Sequence, residues 1–452
     1  MQSQNINNRG SWGSKIAFVF AATGSAIGLG NIWRFPMAVG MNGGAVFVFV
    51  YVLAVAVVGF TVMLAELSLG RFSQKNPVGA IEKVKPGSLW KGMGYLGLTT
   101  AVFILSYYAV LAGWAVGYLV KTVSGAFKGT VTAGISENIF TEFTGNPLQV
   151  LLFFVIMLLI TTFIISRGVK EGIEKWTKIL MPLLFLLILY LAIRALLLPG
   201  AEKGISFYLN PDFSKLSGKV ILMALGQAFF SLSLGMGIMV TYGSYINKKD
   251  NLVTSAGWVC FSDFLIAFLA GIIIFPTLFA IPGISPAAGP GLVFKVFPLI
   301  FSQIPGGNFF GALFFMLLIV AALTSTISLL EVPVAFLMDE LNWTRRRSAW
   351  IMGTIIFILG VPSALSSGGM EFFTKIDFLG KIDLIFGNIS LAVGAFFLCI
   401  FVGYIWKIKN ALKEIESGSP GFKLGPIWAF SIKIFTPIVI LFILYFIKTI
   451  AG

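Results

Sequence analysis

Two clusters of small residues interrupt an otherwise strongly apolar chain: Gly24-Ser-Ala-Ile-Gly-Leu-Gly-Asn31 and Ser231-Leu-Ser-Leu-Gly-Met-Gly237. Each opens with small and hydroxyl residues ahead of a Gly-x-Gly, and each lies inside an apolar run. A glycine costs about 1 kcal/mol relative to alanine in a helix interior. Three glycines in seven residues, as over 24–30, therefore argue against a continuous helix. A break in a membrane helix frees carbonyls at one half-helix end and N–H groups at the other, and lipid cannot satisfy them. A cation on the carbonyls and an anion on the N–H groups can, and the helix dipoles favour the same arrangement. The other reading of such glycines is close helix packing. Two clusters in corresponding places favour a transport site.

The oxygen-bearing side chains nearby suit a hard cation. Asn31, Ser231, Thr324 and Ser325 all lie within apolar spans. So do three carboxylates, Glu66, Asp263 and Glu331. A charge at the bilayer centre costs at least about 2.5–3.5 kcal/mol, so each needs a partner or a proton. Asp263 is assigned to the cation site, and Glu66 and Glu331 are read as protonated or hydrogen-bonded packing residues. The chemistry is thus binding and release of an ion with a zwitterion. Catalysis finds little support: there is no histidine, both cysteines (Cys260 and Cys399) sit in apolar runs, and no nucleophile–base pairing is evident. The same lack of histidine argues against haem, zinc and copper.

The elements that must position these groups are membrane spans. Of 452 residues 58% are hydrophobic and 11% charged, against about a quarter charged in soluble domains. A span needs about 20 apolar residues. Eleven candidates follow, at roughly 14–38, 44–70, 92–124, 148–166, 172–198, 219–246, 252–281, 308–339, 347–364, 381–406 and 428–450. Among the connectors, 282–307 is a candidate for a short interfacial or re-entrant helix. No cleaved signal peptide is read at the start. The formal charge of +14 is attributed to cations held on the cytoplasmic face, not to nucleic-acid binding. With the N-terminus inside, 21 of the 32 Lys and Arg fall on inner segments, Lys407, Lys409, Lys413, Lys423 and Lys433 among them. The positive-inside rule then puts the N-terminus in the cytoplasm and the C-terminus outside.

The stretch Gly24-Ser-Ala-Ile-Gly-Leu-Gly-Asn-Ile-Trp-Arg-Phe-Pro36 closely resembles the first-helix signature of the neurotransmitter:sodium symporter family. Further matches are Asn42-Gly-Gly-Ala, Glu66 with Gly70-Arg71, Tyr107-Tyr108, Gln227-Ala-Phe-Phe-Ser-Leu-Ser-Leu-Gly235, Thr241-Tyr-Gly-Ser-Tyr245, Ala322-Leu-Thr-Ser-Thr326 and Asp339-Glu-Leu341. The resemblance covers essentially the whole chain. It implies an all-α integral membrane protein with a five-plus-five inverted repeat, whose first and sixth helices break at mid-membrane. Residues 1–452 would form one transport domain, with repeats at about 14–198 and 219–406 and an extra helix at about 428–450. The family's usual twelfth span is missing from this reading, which leaves the oligomeric state open, a monomer included.

The resemblance further implies two sodium sites. One would use the Ala26 carbonyl, Asn31, Ser231, Asp263 and the substrate carboxylate; the other the Gly24, Ile27 and Ala321 carbonyls with Thr324 and Ser325. An acid at Asp263 would replace the chloride that animal members bind, so no chloride requirement is expected. The substrate carboxylate would meet the Leu29 and Gly30 N–H groups and the Tyr108 hydroxyl. Its amino group would meet carbonyls near Ala26, Phe230 and Ser233. Monoamine carriers have Asp where this chain has Gly28, so the expected substrate brings its own carboxylate. Ile104, Phe230, Met236, Thr326 and Leu329 would line an apolar pocket for large aliphatic or aromatic side chains.

Gates follow by the same resemblance. Arg34 would pair with Asp383, or alternatively Asp377, on the outer side. Arg9 and Trp12 would pack against Asp339, Ser244 and Tyr245 on the inner side. The Gly172 to Pro182 spacing marks a place where the fifth span can unwind, a static kink being the other reading. The expected activity is sodium-coupled import of hydrophobic L-amino acids by alternating access. A proton- or sodium-coupled carrier of another small zwitterion or osmolyte is the alternative, because Glu331 and Asp263 leave proton coupling open.

Overall fold

The computed structural model describes residues 10–129, 131–280 and 292–451, and these contain helices and connections but no strand. The first apolar stretch is two helices, α1 (Lys15–Ala26) and α2 (Gly30–Met41), bent by 49° at their junction. Then come α3 (Ala45–Ser73), α4 (Lys91–Val123), α5 (Pro147–Ser166) and α6 (Val169–Leu196). The sixth stretch divides into α7 (Gly218–Ser231) and α8 (Ile238–Gly243). The remainder are α9 (Leu252–Phe279), α10 (Gly307–Leu341), α11 (Arg345–Ala364), α12 (Phe378–Ile405) and α13 (Gly425–Tyr445). Nine of these are each long and apolar enough to cross a membrane, and the bent α1–α2 pair meets the same test together. Neither half of the sixth stretch reaches that length alone, so the eleven expected spans reduce to ten by this measure.

Polar residues fix where the helices begin. Ser14, Asn146 and Asn251 each accept a backbone N–H in the first turn of α1, α5 and α9, satisfying one of the orphan donors of a helix start. Helices α4 and α10 are the most enclosed and form the central pillars. Large apolar side chains on α5, α6, α11 and α13, such as Phe163, Leu186, Ile358 and Phe442, point outward instead. An exposed apolar belt of this kind has lipid as its solvent.

Gly172 and Pro182 lie in one wound helix, with a wide π turn over Val169–Glu174. The glycine has a packing reason: a Cβ there would stand 2.1 Å from the Ile164 carbonyl oxygen. Arg9 lies outside the described residues. The 282–307 connector carries a short helix, Phe297–Gln303, over its described part.

Candidate functional site

The site is built on the two helix interruptions. Ile27 ends α1 in an extended conformation, φ −82° and ψ 108°. Between α7 and α8 the chain takes positive φ at Ser233 (56°), Gly235 (81°) and Gly237 (77°), a conformation glycine adopts without strain. The freed backbone groups are met by side chains from other elements, as buried groups must be. The Leu29 N–H donates to the Tyr108 hydroxyl at 2.8 Å, and Gln227 Nε2 donates to the Gly30 carbonyl at 3.0 Å. Ser233 Oγ donates to the Ser25 carbonyl at 2.9 Å. At the second interruption the Gly235 N–H donates to Glu66 Oε1 at 2.7 Å, so Glu66 anchors unwound backbone.

Asp263 on α9 is fully buried beside the first interruption. Its Oδ1 accepts from Asn31 Nδ2 at 2.7 Å and from Ser231 Oγ at 2.8 Å. Its Oδ2 accepts from the Tyr51 hydroxyl at 3.0 Å. Asn31 Oδ1 accepts from the Gly28 N–H at 3.1 Å. The arrangement gathers Asn31, Ser231 and Asp263 into one oxygen-rich cluster, the donor set a hard cation prefers. Tyr51 is a member that the sequence reading missed. The available signal was a phenol in an apolar run, whose O–H must find a partner once buried.

The other oxygen cluster lies where α1 meets α10. Thr324 Oγ1 donates to the Ala321 carbonyl at 2.9 Å and to the Ile27 carbonyl at 3.4 Å, and Ser325 Oγ also reaches Ile27 at 3.4 Å. Gly24 packs on the same spot, with a Cβ there only 3.1 Å from the Thr324 Cβ. All five residues expected for a second cation site are therefore adjacent.

Between the clusters is a small cavity of about 30 Å³. Ala26, Gly30, Ile104, Tyr108, Phe230, Ser233, Met236 and Leu329 line it, as do Ser25, Gly28, Ser231 and Ser325. Its wall thus combines apolar side chains with hydroxyls and interrupted backbone. Two expected residues stand elsewhere. Leu29 does not line the cavity, and its N–H is engaged by Tyr108. Thr326 faces α5, where its hydroxyl bonds that of Thr161 at 2.8 Å.

The expected Arg34–Asp383 pair does not form. Arg34 Nη2 donates to Asn388 Oδ1 at 2.5 Å, and its guanidinium lies 4.2 Å from the centre of the Phe230 ring. The reason is local. A π-helical turn over Asp383–Ser390 brings Asn388 back to the Asp383 carbonyl, 3.1 Å from its Nδ2. The Asp383 carboxylate meanwhile accepts from the Tyr107 hydroxyl at 2.7 Å. Asp377 caps a short helix by accepting from the Gly380 N–H.

At the opposite end the Trp12 indole N–H donates to the Tyr242 carbonyl at 3.0 Å, and the ring packs edge-on to Tyr242 and Tyr245. Tyr245 donates to Glu331 Oε1 at 2.5 Å. Glu331 is held by two Arg345 nitrogens, at 2.7 and 2.8 Å; it is hydrogen-bonded, with Arg345 as an ion-pair partner that the sequence reading did not name. Asp339 accepts from the Asn76 backbone and side-chain N–H groups at 2.8 and 3.0 Å.

Comparison with known proteins agrees with this architecture. A model of the sodium:neurotransmitter symporter family matches residues 9–133 and 130–451. An uncharacterized sodium-dependent transporter of Bacillus subtilis, YhdH, is 37% identical over 436 residues, covering 96% of each chain. The sodium-dependent serotonin transporter of Drosophila melanogaster is 28% identical over 98% of this chain and 78% of its own. The crystal structure of MhsT in complex with L-phenylalanine superposes with a TM-score of 0.88 at 42% identity, covering 97% of this chain and 99% of that one. The interrupted helices and their oxygen clusters thus belong to a sodium-dependent membrane transporter, and the chain is a member of the sodium:neurotransmitter symporter family.

Proposed function

We propose that this chain imports hydrophobic L-amino acids, of large aliphatic or aromatic type, together with sodium by alternating access. The observation that carries this reading is one cavity with two kinds of wall. Ile104, Phe230, Met236 and Leu329 offer apolar surface, and Tyr108, Ser233, Ser325 and the interrupted backbone at Ala26, Gly28 and Gly30 line the same cavity. That combination suits a substrate with a zwitterionic head and an apolar tail. The solved relative MhsT holds L-phenylalanine, a substrate of that class. Sodium is cargo in this scheme, carried at the Asn31–Ser231–Asp263 cluster and at the Ile27–Ala321–Thr324–Ser325 cluster. The fixed charge of Asp263 removes the need for chloride.

The cavity is of the size that takes one or two waters. A phenylalanine-sized side chain enters when Phe230 withdraws, and Phe230 is the ring on which Arg34 rests. Release of Arg34 and enlargement of the pocket are therefore one movement. Each sodium ion crossing 100 mV of inside-negative potential releases about 2.3 kcal/mol, and two ions would drive strong accumulation of a neutral substrate. The Trp12 end and the N-terminus face the cytoplasm in this reading, and the C-terminus faces outward.

The test is uptake of labelled leucine or tryptophan into proteoliposomes under an inward sodium gradient. Replacing sodium by choline should abolish uptake, and replacing chloride by gluconate should leave it unchanged. Uptake that persists in choline and follows a proton gradient would establish the alternative carrier instead.

A further inference from the structure

At the Trp12 end, α12 and α13 are joined through a short helix, Ile408–Gly418. Its inner side is firmly held. Arg71, fully buried, donates from Nε to Glu414 Oε1 at 2.8 Å and from Nη1 to the Asp250 carbonyl at 2.7 Å. Lys248 Nζ takes the other Glu414 oxygen at 2.9 Å. The Glu414 charge is therefore fully engaged by two cations. The outer side of the helix carries Lys409 and Lys413, one turn apart, with Lys407 before it and Lys423 after it, all exposed. Residues 407–433 hold five lysines and two glutamates, Glu414 and Glu416, and Glu414 is already occupied. None of the five lysines is in an ion pair among the described residues.

Lys433 adds a different observation. It lies within α13, half-buried, with its stem against Gly403 and its ammonium 5.2 Å from the centre of the Tyr404 ring. Beside it Ile427, Phe430 and Ile434 point outward, with relative exposures of 66%, 58% and 46%. This is a cation at the border of an acyl-chain face, held by an aromatic ring as interfacial lysines are. A soluble acidic protein would leave the apolar strip uncovered. A lipid with a negatively charged headgroup covers both parts, its phosphate among the lysines and its chains along Ile427, Phe430 and Ile434.

We propose that the Ile408–Gly418 helix and Lys433 together form a binding site for an anionic phospholipid of the leaflet at the Trp12 end. The site bears on transport through its inner side. Arg71 closes α3, and Lys248 and Asp250 belong to the loop after α8, so a bound headgroup steadies the helix that ties these two together.

The experiment places a single reporter on the helix. Cys260 and Cys399 are buried, so Asn410→Cys in the full-length protein takes a bimane label selectively. The labelled transporter is reconstituted in phosphatidylcholine vesicles containing equal proportions of brominated phosphatidylglycerol or brominated phosphatidylcholine. A lysine near an anionic surface is worth about a fivefold preference, so phosphatidylglycerol should quench the label several-fold more strongly. Adding Lys409→Gln, Lys413→Gln and Lys433→Gln should bring the two lipids to parity, while sodium-dependent uptake confirms that this variant is folded. Should that variant not fold, Lys409→Gln alone should still lower the preference measurably. Equal quenching by both lipids in the labelled parent would overturn the proposal. So would a preference that survives in the folded variant, or one that soluble glycerol phosphate abolishes, which would mark a general anion site.

Discussion

The Arg34 and Trp12 ends of the molecule are held together by unlike means. At the Arg34 end one guanidinium leans on the Asn388 amide and the Phe230 ring, while Asp383 is occupied by Tyr107. At the Trp12 end a ring cluster, a phenol and a doubly bonded ion pair lock together, from Trp12 through Tyr245 and Glu331 to Arg345. The difference is one of how much each end has to break. Hydrogen bonds to a partly solvated cation are modest, whereas a buried ion pair that loses one member strands the other charge. In the proposed transport cycle the Arg34 end therefore has fewer buried bonds to break.

The largest test of this asymmetry is Glu331→Gln, which leaves the Arg345 guanidinium without its carboxylate. It should destabilise the fold by about 3–5 kcal/mol, seen as a lower melting temperature in detergent; an unchanged value would make the two ends equivalent. A smaller effect is expected from Trp12→Ala, which removes a ring and an indole donor from the same end. Alkylation of a cysteine introduced at Ser244 should quicken by about tenfold, the equivalent of a 1.4 kcal/mol shift toward opening. The smallest is Asn388→Ala at the other end. Losing one half-buried bond to Arg34 should favour the open state by about 1 kcal/mol, read as faster alkylation of a cysteine at Ile104. Asp383→Asn should do less than Asn388→Ala, and the reverse order would restore the carboxylate as the gate partner.

Much of this was legible in the sequence because glycine and carboxylate placement inside apolar runs leaves few physical options. Asn31, Ser231, Asp263, Thr324 and Ser325 stood out as oxygen-bearing side chains within spans, and their division into two clusters came from the family resemblance. Residues whose role depends on helix phase were not legible. Thr326 follows Ser325 directly, yet a helical step of about 100° turns it to Thr161 on α5. Asn388 gained Arg34 because a π turn altered the local register around Asp383, and nothing in the residue types foretells such a turn. Tyr51 was hidden among aliphatic neighbours, and only the tertiary approach of α3 to α9 sets its hydroxyl on Asp263.

Gly28 has a consequence for what its position can carry. A Cβ there would fall 2.4 Å from both the Tyr108 hydroxyl and the Ser325 hydroxyl. Where monoamine carriers of the family are expected to bear an aspartate, even an alanine in this chain would require both hydroxyls to shift. One of those hydroxyls bonds the Leu29 amide and the other belongs to an oxygen cluster. A side chain at Gly28 would therefore disturb the bond on the Leu29 amide and the Ser325 hydroxyl together, linking the two interrupted-helix contacts through one position.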